Sequence, residues 1–119
     1  MSHFRKILVW QKSISLVTKV YKTTRTFPKE ETFGLTSQIR RSSVSIPSNI
    51  AEGSGRESNK DFLRFLYISL GSLFEMQTQL EIAKNIIYIN EEEFNLLYED
   101  SREIERMLAS LIKKIKDTI

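Results

Sequence analysis

Residues 62 to 87 carry the strongest constraint in this chain. Phe62, Leu66, Ser69, Leu73, Met76, Leu80, Ala83 and Ile87 recur at alternating steps of 4 and 3 over three and a half heptads without a slip. An α-helix turns once every 3.6 residues, so this spacing keeps every named side chain on one stripe. A strand alternates its faces at every residue and has no use for the pattern. The segment therefore predicts a long helix that buries one face along a bundle seam, started by Ser58 with Asp61 three residues on. A second stripe of Leu63, Tyr67, Leu70 and Phe74 lies about 100° around the same helix, and Phe65 and Ile68 extend it. One seam needs only the first stripe. The surplus apolar area serves either a second neighbouring helix or a contact between subunits, and Leu63, Tyr67, Leu70 and Phe74 are the candidate interface residues.

Three other segments show the same period. Trp10, Ile14, Val17 and Tyr21, widened by Ile7, Leu16 and Val20, predict an amphipathic helix from about Ile7 to Thr26. It should stop at Phe27-Pro28, because the residue before a proline is biased away from helical geometry. Leu35, Ile39, Ser42 or Ser43, Ile46 and Ile50 predict a second helix starting near Thr32, the candidate cap, after the acidic pair Glu30-Glu31. Gly53 and Gly55 suit a left-handed terminus for it. Asn90 followed by Glu91, Glu92 and Glu93 is a start signal with a capping side chain and acids in the first turn. Phe94, Leu97, Ser101, Ile104, Leu108, Leu111 and Ile115 follow at helical spacing, and Lys113, Lys114 and Lys116 complement the dipole at the end. With only 4 Gly and 2 Pro in 119 residues, connections are few and short. The prediction is one all-α domain over residues 1–119, an antiparallel up-down-up-down four-helix bundle.

Residues 38 to 56, QIRRSSVSIPSNIAEGSGR, break the rules that the other helices obey. Pro47 falls inside the helical pattern, where a proline removes a backbone hydrogen bond and crowds the preceding turn at roughly 3 kcal/mol. The preferred reading is a second helix kinked at Pro47, with small serines that admit a neighbour closely. The alternative is a true break, with Ser45 capping a new helix. Arg41, Ser45, Asn49, Glu52 and Arg56 are spaced 4, 4, 3 and 4 and form a polar stripe. As structure, Glu52 and Arg56 make an i,i+4 pair and the remainder a subunit contact, to which Pro47 also belongs. As function, Arg40, Arg41, Arg56, Lys60 and Arg64 hold RNA phosphates, ordered by Ser45, Asn49 and Glu52. Aromatics interleaved with these arginines are absent until Phe62, so a base-stacking platform is unsupported and backbone or shape recognition is the expected mode.

Charge is distributed unevenly. Residues 1 to 60 hold 11 Lys/Arg against 4 Asp/Glu, a net of +7, whereas residues 61 to 119 hold 7 against 11, a net of −4. Such asymmetry marks either a nucleic-acid surface or attraction between halves of a bundle or between subunits. Catalytic chemistry finds no constellation. With no Cys and a single His3, thiolate catalysis, cysteine-ligated zinc and a Ser-His triad are excluded. The Glu-x-x-His pairs of a bundle di-iron site are missing, and Gly53-Ser54-Gly55 lacks the Lys-Ser/Thr ending of a phosphate loop. No catalytic, cofactor-binding or metal residue is assigned, and no small-molecule substrate is expected. The apolar run Ile7 to Trp10 is too short for a signal-peptide core and no stretch approaches the ~20 apolar residues of a membrane span, so a soluble cytoplasmic protein is the expectation.

Several clusters together resemble a known family. They are Val9-Trp10-Gln11-Lys12, Thr26-Phe27-Pro28 with Glu31 and Gly34-Leu35, Gln38-Ile39-Arg40-Arg41, Ser45-Ile46-Pro47-Ser48-Asn49-Ile50-Ala51-Glu52-Gly53, and Phe62 to Leu66 with Gly71-Ser72 and Glu75. Met107-Leu108 and Leu111-Ile112 fit its weaker C-terminal pattern. The family is that of the bacterial ribosomal RNA intervening-sequence proteins, four-helix bundles often encoded within large-subunit ribosomal RNA genes. The resemblance implies a homo-oligomer, a ring-like homopentamer, that is non-enzymatic and associated with structured RNA. A related branch, the accessory variability determinant of diversity-generating retroelements, uses a basic ring surface; this chain is less basic. The alternative function is a homo-oligomeric protein-binding scaffold without nucleic-acid binding.

Overall fold

The computed structural model describes residues 3–119. Four long helices carry the chain: α1 (Leu8–Thr24), α2 (Leu35–Ser54), α3 (Asn59–Asn85) and α4 (Glu91–Lys116), with short 3-10 turns at Phe4–Lys6 and Lys29–Glu31. No strand occurs among the described residues. Consecutive helices pack side by side and α4 closes against α1, while the backbones of the diagonal pairs α1/α3 and α2/α4 stay farther apart across the shared core. The pairing is antiparallel throughout. Along α2 and α3, Ser42 meets Gln79, Ser45 meets Ser72, Ser69 meets the Ile46 carbonyl, and Gly53 abuts Phe62 and Phe65. Gln77 donates to Ser101 and Glu105 on α4, and Lys12 and Lys19 on α1 pair with Glu103 and Asp100 on α4. One end of the bundle thus holds the α1–α2 and α3–α4 loops, and the other holds the α2–α3 turn, the start of α1 and the end of α4.

The start signals act as their chemistry requires. The Ser58 side chain accepts the Asp61 N–H, and Asn90 and Glu93 exchange hydrogen bonds in a reciprocal capping box at α4. The core runs the length of the molecule through Leu16, Ile39, Ile46, Ile50, Leu66, Leu73, Met76, Leu80, Ile104 and Leu108, all buried. Seam positions on α3 and α4 match the spacing argument, except at Ile87. That residue lies beyond α3, 83% exposed, with φ 66. The turn into α4 takes it off the helix.

The face of α1 requires correction. Its buried residues are Val9, Ser13, Leu16, Val20 and Thr24. Leu16 and Val20, expected at the edge of the stripe, are at the centre of this buried face, which lies one position and thus about 100° from Trp10, Ile14, Val17 and Tyr21. Ile14 and Tyr21 are exposed and Trp10 and Val17 only half-buried. Ser13 and Thr24 can face the core because their hydroxyls donate to the carbonyls of Val9 and Val20, at 2.7 and 2.8 Å. An apolar count misses them. Helix α1 also ends at Thr24 rather than Thr26.

Helix α2 begins at Leu35, because the Glu31 carboxylate reaches forward to accept the Leu35 N–H at 3.0 Å and Thr32 does not cap. It runs unbroken through Pro47, which is buried, so the true break with a Ser45 cap does not occur. The expected left-handed glycine terminus is also absent. Gly55 has φ −88, and Gly53 is inside the helix. A methyl group on Gly53 would lie 2.6 Å from the Phe65 Cβ and 2.9 Å from Phe62 Cδ1. Its role is close approach of α3 to α2. Buried Ser42, Ser43 and Ser69 continue that narrow seam.

Candidate nucleic-acid interface

Residues predicted as one polar face are distributed by the bundle over three places. In the middle of α2 the stripe turns toward α3. The Ser45 and Ser72 hydroxyls share a 2.8 Å hydrogen bond, and Asn49 Nδ2 donates to the Ser45 carbonyl and hydroxyl at 2.8 and 2.9 Å. Ser45 and Asn49 are therefore occupied within the chain. Ser42 donates to Gln79 at 2.7 Å just below them.

At the α2–α3 turn, Arg56 pairs with Glu52 at 2.9 Å and approaches Asp61 at 3.7 Å, and Arg64 pairs with Asp61 at 3.1 Å. Both guanidinium groups lie over the Phe65 ring, at 4.8 and 4.5 Å. Two acids balance two arginines here. Lys60 is exposed beside them, and the shallow cleft of about 780 Å³ that they line also contains Glu57 and Asp61. This end offers an anion little net charge.

The opposite end differs. Arg40 Nε donates to Thr24 Oγ1 at 2.9 Å, and its guanidinium sits 4.6 Å from the Tyr21 ring centroid. It also reaches the Tyr21 carbonyl at 3.4 Å, where a cation suits the end of α1. Arg41 is exposed and has no acidic partner among the described residues. Arg40 and Arg41 share a cleft of about 520 Å³ with Arg25 and Lys29, and no Asp or Glu lines it. Tyr21 lines it too, as does Phe33, whose side chain is 96% exposed. The sequence reading missed these aromatics, because Tyr21 belongs to another helix and Phe33 precedes α2 in a loop. Folding interleaves aromatics with arginines that the linear order keeps apart. Stacking surfaces and cations at one site are what single-stranded nucleic acid uses.

The candidate interface residues also separate. Leu63 and Leu70 pack against the core, whereas Tyr67 and Phe74 remain 47% and 46% exposed. Pro47 lies on the α1 side of α2, lining an apolar groove with Trp10, Ile14, Val17 and Val44. Two half-covered apolar surfaces result, one on α3 and one between α1 and α2.

No group of three His, Cys, Asp or Glu side chains gathers among the described residues. No helix among them is long and apolar enough to cross a membrane. No curated protein matches the chain. A solved structure from Bacteroides thetaiotaomicron, a protein of unknown function from the S23 ribosomal protein family, is 32% identical with a TM-score of 0.80; the match covers 88% of this chain and 98% of that one. The family described as 23S rRNA-intervening sequence protein matches residues 5–110. This chain, with its four-helix bundle, belongs to the 23S rRNA-intervening sequence protein family.

Proposed function

We propose that this protein is a non-enzymatic, cytoplasmic homo-oligomer that associates with structured RNA through the loop end of its bundle. The observation that carries the reading is the cleft holding Arg25, Lys29, Arg40 and Arg41 with no acid among its lining residues. Phosphate contacts of this kind supply affinity without reading sequence. The family's name points to the same ligand class. Oligomerisation draws support from the exposed Tyr67 and Phe74 and from the apolar groove at Pro47, since a small monomer rarely leaves such surfaces uncovered. A ring of five copies is the assembly implied by the resemblance.

The test is retention of structured ribosomal RNA fragments from low to moderate salt. Wild type should bind at low salt and release as salt rises, Arg41→Glu should lose binding, and Arg56→Glu should keep most of it. Equal behaviour of wild type and Arg41→Glu would sink the RNA reading. The two apolar surfaces favour a second reading, a homo-oligomeric scaffold that holds another protein and no nucleic acid. Light scattering bears on both readings, and a monomer at micromolar concentration would end them together.

A further inference from the structure

We propose that the N-terminus of α2 and the cleft in front of it bind the phosphate of a nucleotide, with Phe33 as the surface on which its base stacks. This deepens the RNA reading and rests on it only for the source of the ligand. The first helical turn is unevenly satisfied. The Leu35 N–H is taken by the Glu31 carboxylate and the Gln38 N–H by the Gly34 carbonyl. The Thr36 and Ser37 N–H groups between them have no acceptor. Free amides at a helix start, with the positive end of the helix dipole behind them, favour an anion.

An independent observation points the same way. Thr36 lines the cleft and is 8% exposed, and its buried hydroxyl has no hydrogen-bond partner. A buried hydroxyl left unpaired is costly, and a native fold seldom keeps one without a use. Phosphate oxygens would accept from the two amides and, once Thr36 turns to another rotamer that brings its buried hydroxyl to the cleft, from that hydroxyl as well. Around them stand Arg25, Lys29, Arg40 and Arg41. The negative charge of Glu31 opposes an incoming anion, but its two oxygens are engaged by Leu35 and Tyr88, and four cations outweigh it.

Phe33 turns a phosphate site into a nucleotide site. An aromatic ring 96% exposed contributes almost nothing to the core, whereas a ring beside a phosphate-binding turn supports a base by stacking. Tyr21, already beneath the Arg40 guanidinium, supplies a second ring in the same cleft. Nothing in the lining selects one base over another, so the site takes nucleotides as a class. The ligand is either a free 5′-mononucleotide or a nucleotide within an RNA strand.

The full-length chain, labelled with ¹⁵N, is titrated with 5′-AMP, adenosine, inorganic phosphate and oligoadenylate. 5′-AMP should move the Thr36 and Ser37 amide resonances, and adenosine should leave them in place. Phe33→Ala, which removes an exposed ring and leaves the core intact, should weaken 5′-AMP by about fivefold or more, the scale of one stacked base. Inorganic phosphate should bind that variant as it binds wild type. Thr36→Val, nearly isosteric, should weaken both phosphate and 5′-AMP by about tenfold, the scale of a charge-assisted hydrogen bond. Oligoadenylate that binds more tightly than 5′-AMP and responds to the same variants assigns the site to RNA; oligoadenylate that binds no better assigns it to the free nucleotide. Unmoved Thr36 and Ser37 amides, or equal responses to 5′-AMP and adenosine, would overturn the site. Unmoved amides under 5′-AMP, together with structured RNA retained equally by wild type, Phe33→Ala and Thr36→Val, would overturn the site while leaving the RNA reading intact. Binding of 5′-AMP without any retention of structured RNA would keep the site and remove that reading.

Discussion

The phenol of Tyr88 donates a 2.8 Å hydrogen bond to Glu31, 57 positions earlier in the chain, while the other oxygen of that carboxylate accepts the Leu35 N–H. One side chain thus caps α2 and joins the α1–α2 loop to the α3–α4 loop. Phe27 reinforces the link, its ring 5.3 Å from that of Tyr88.

This pair should imprint itself on the pH dependence of stability. The Leu35 N–H first, and the Tyr88 hydroxyl second, hold Glu31 below the ordinary value of 4.5. Its contribution is complete above pH 4.5 and is lost as pH falls through the lowered folded value. The hydrogen bond to Glu31, then burial, raise Tyr88 above 10, so its contribution is complete below pH 10 and is lost as pH rises through the folded value. Tyr88→Phe should lower the melting temperature at neutral pH, remove the alkaline loss that Tyr88 causes, and flatten the acid loss without abolishing it. Superimposable melting profiles for wild type and variant across pH would contradict this.

Two glycines should respond oppositely to alanine. Gly53→Ala places a methyl group into Phe62 and Phe65, and the overpacked α2–α3 seam should lose about 1–3 kcal/mol. Gly71, inside α3, has nothing within 4 Å of the position a methyl group would take, so Gly71→Ala should add about 1 kcal/mol through helix propensity. Urea melts of the two variants decide the matter, and shifts of the same sign would refute it.

Ser42→Ala should leave the Gln79 carbonyl buried without its 2.7 Å donor, at about 1–3 kcal/mol. Removing both partners, as in Ser42→Ala with Gln79→Met, should recover most of that loss. A double variant as weak as the sum of its single changes would count against the interaction.

Ile87→Gly should stabilise the fold by about 1 kcal/mol, because a left-handed conformation is unfavourable for a side chain with a branched Cβ and open to glycine. Little packing is forfeited, as Ile87 is 83% exposed. Lower thermal stability in this variant would show that the contacts around the α3–α4 turn matter more than backbone strain.

Pro47→Ala restores an N–H to the α2 ladder opposite the Ser43 carbonyl, so the bundle should remain folded. Its groove-lining position between α1 and α2 leads us to expect a changed oligomer mass. Unchanged mass in light scattering, together with unchanged stability, would rule out a role in assembly.

The sequence made much of this architecture legible where apolar residues and caps coincide. Helices α3 and α4 could be read from their unbroken 4 and 3 spacing and from Ser58 and Asn90, both of which cap. Helix α1 was legible as a helix but not in its facing, because the core there accepts Ser13 and Thr24 with their hydroxyls turned onto their own backbone. The start of α2 was hidden because its cap is Glu31, four residues before Leu35 and outside the usual capping position. In the candidate site, Arg40 and Arg41 were legible as cations. Their separation from Arg56 and Arg64 was not, since it depends on which arginines find acids after folding. Tyr21 and Phe33 reach the same cleft only through the α1–α2 loop, a proximity that no helical period encodes.

The link through Glu31 and Tyr88 also fastens the two ends of the molecule unequally. At the far end the corresponding cross-connection is an exposed hydrogen bond between Asn59 and Thr118, at 2.9 Å. Amide hydrogen exchange should therefore advance from the termini and slow toward the loops. The nucleotide proposed for the basic cleft would then meet a backbone already fastened by this link, so little of its binding energy would go into ordering the loops.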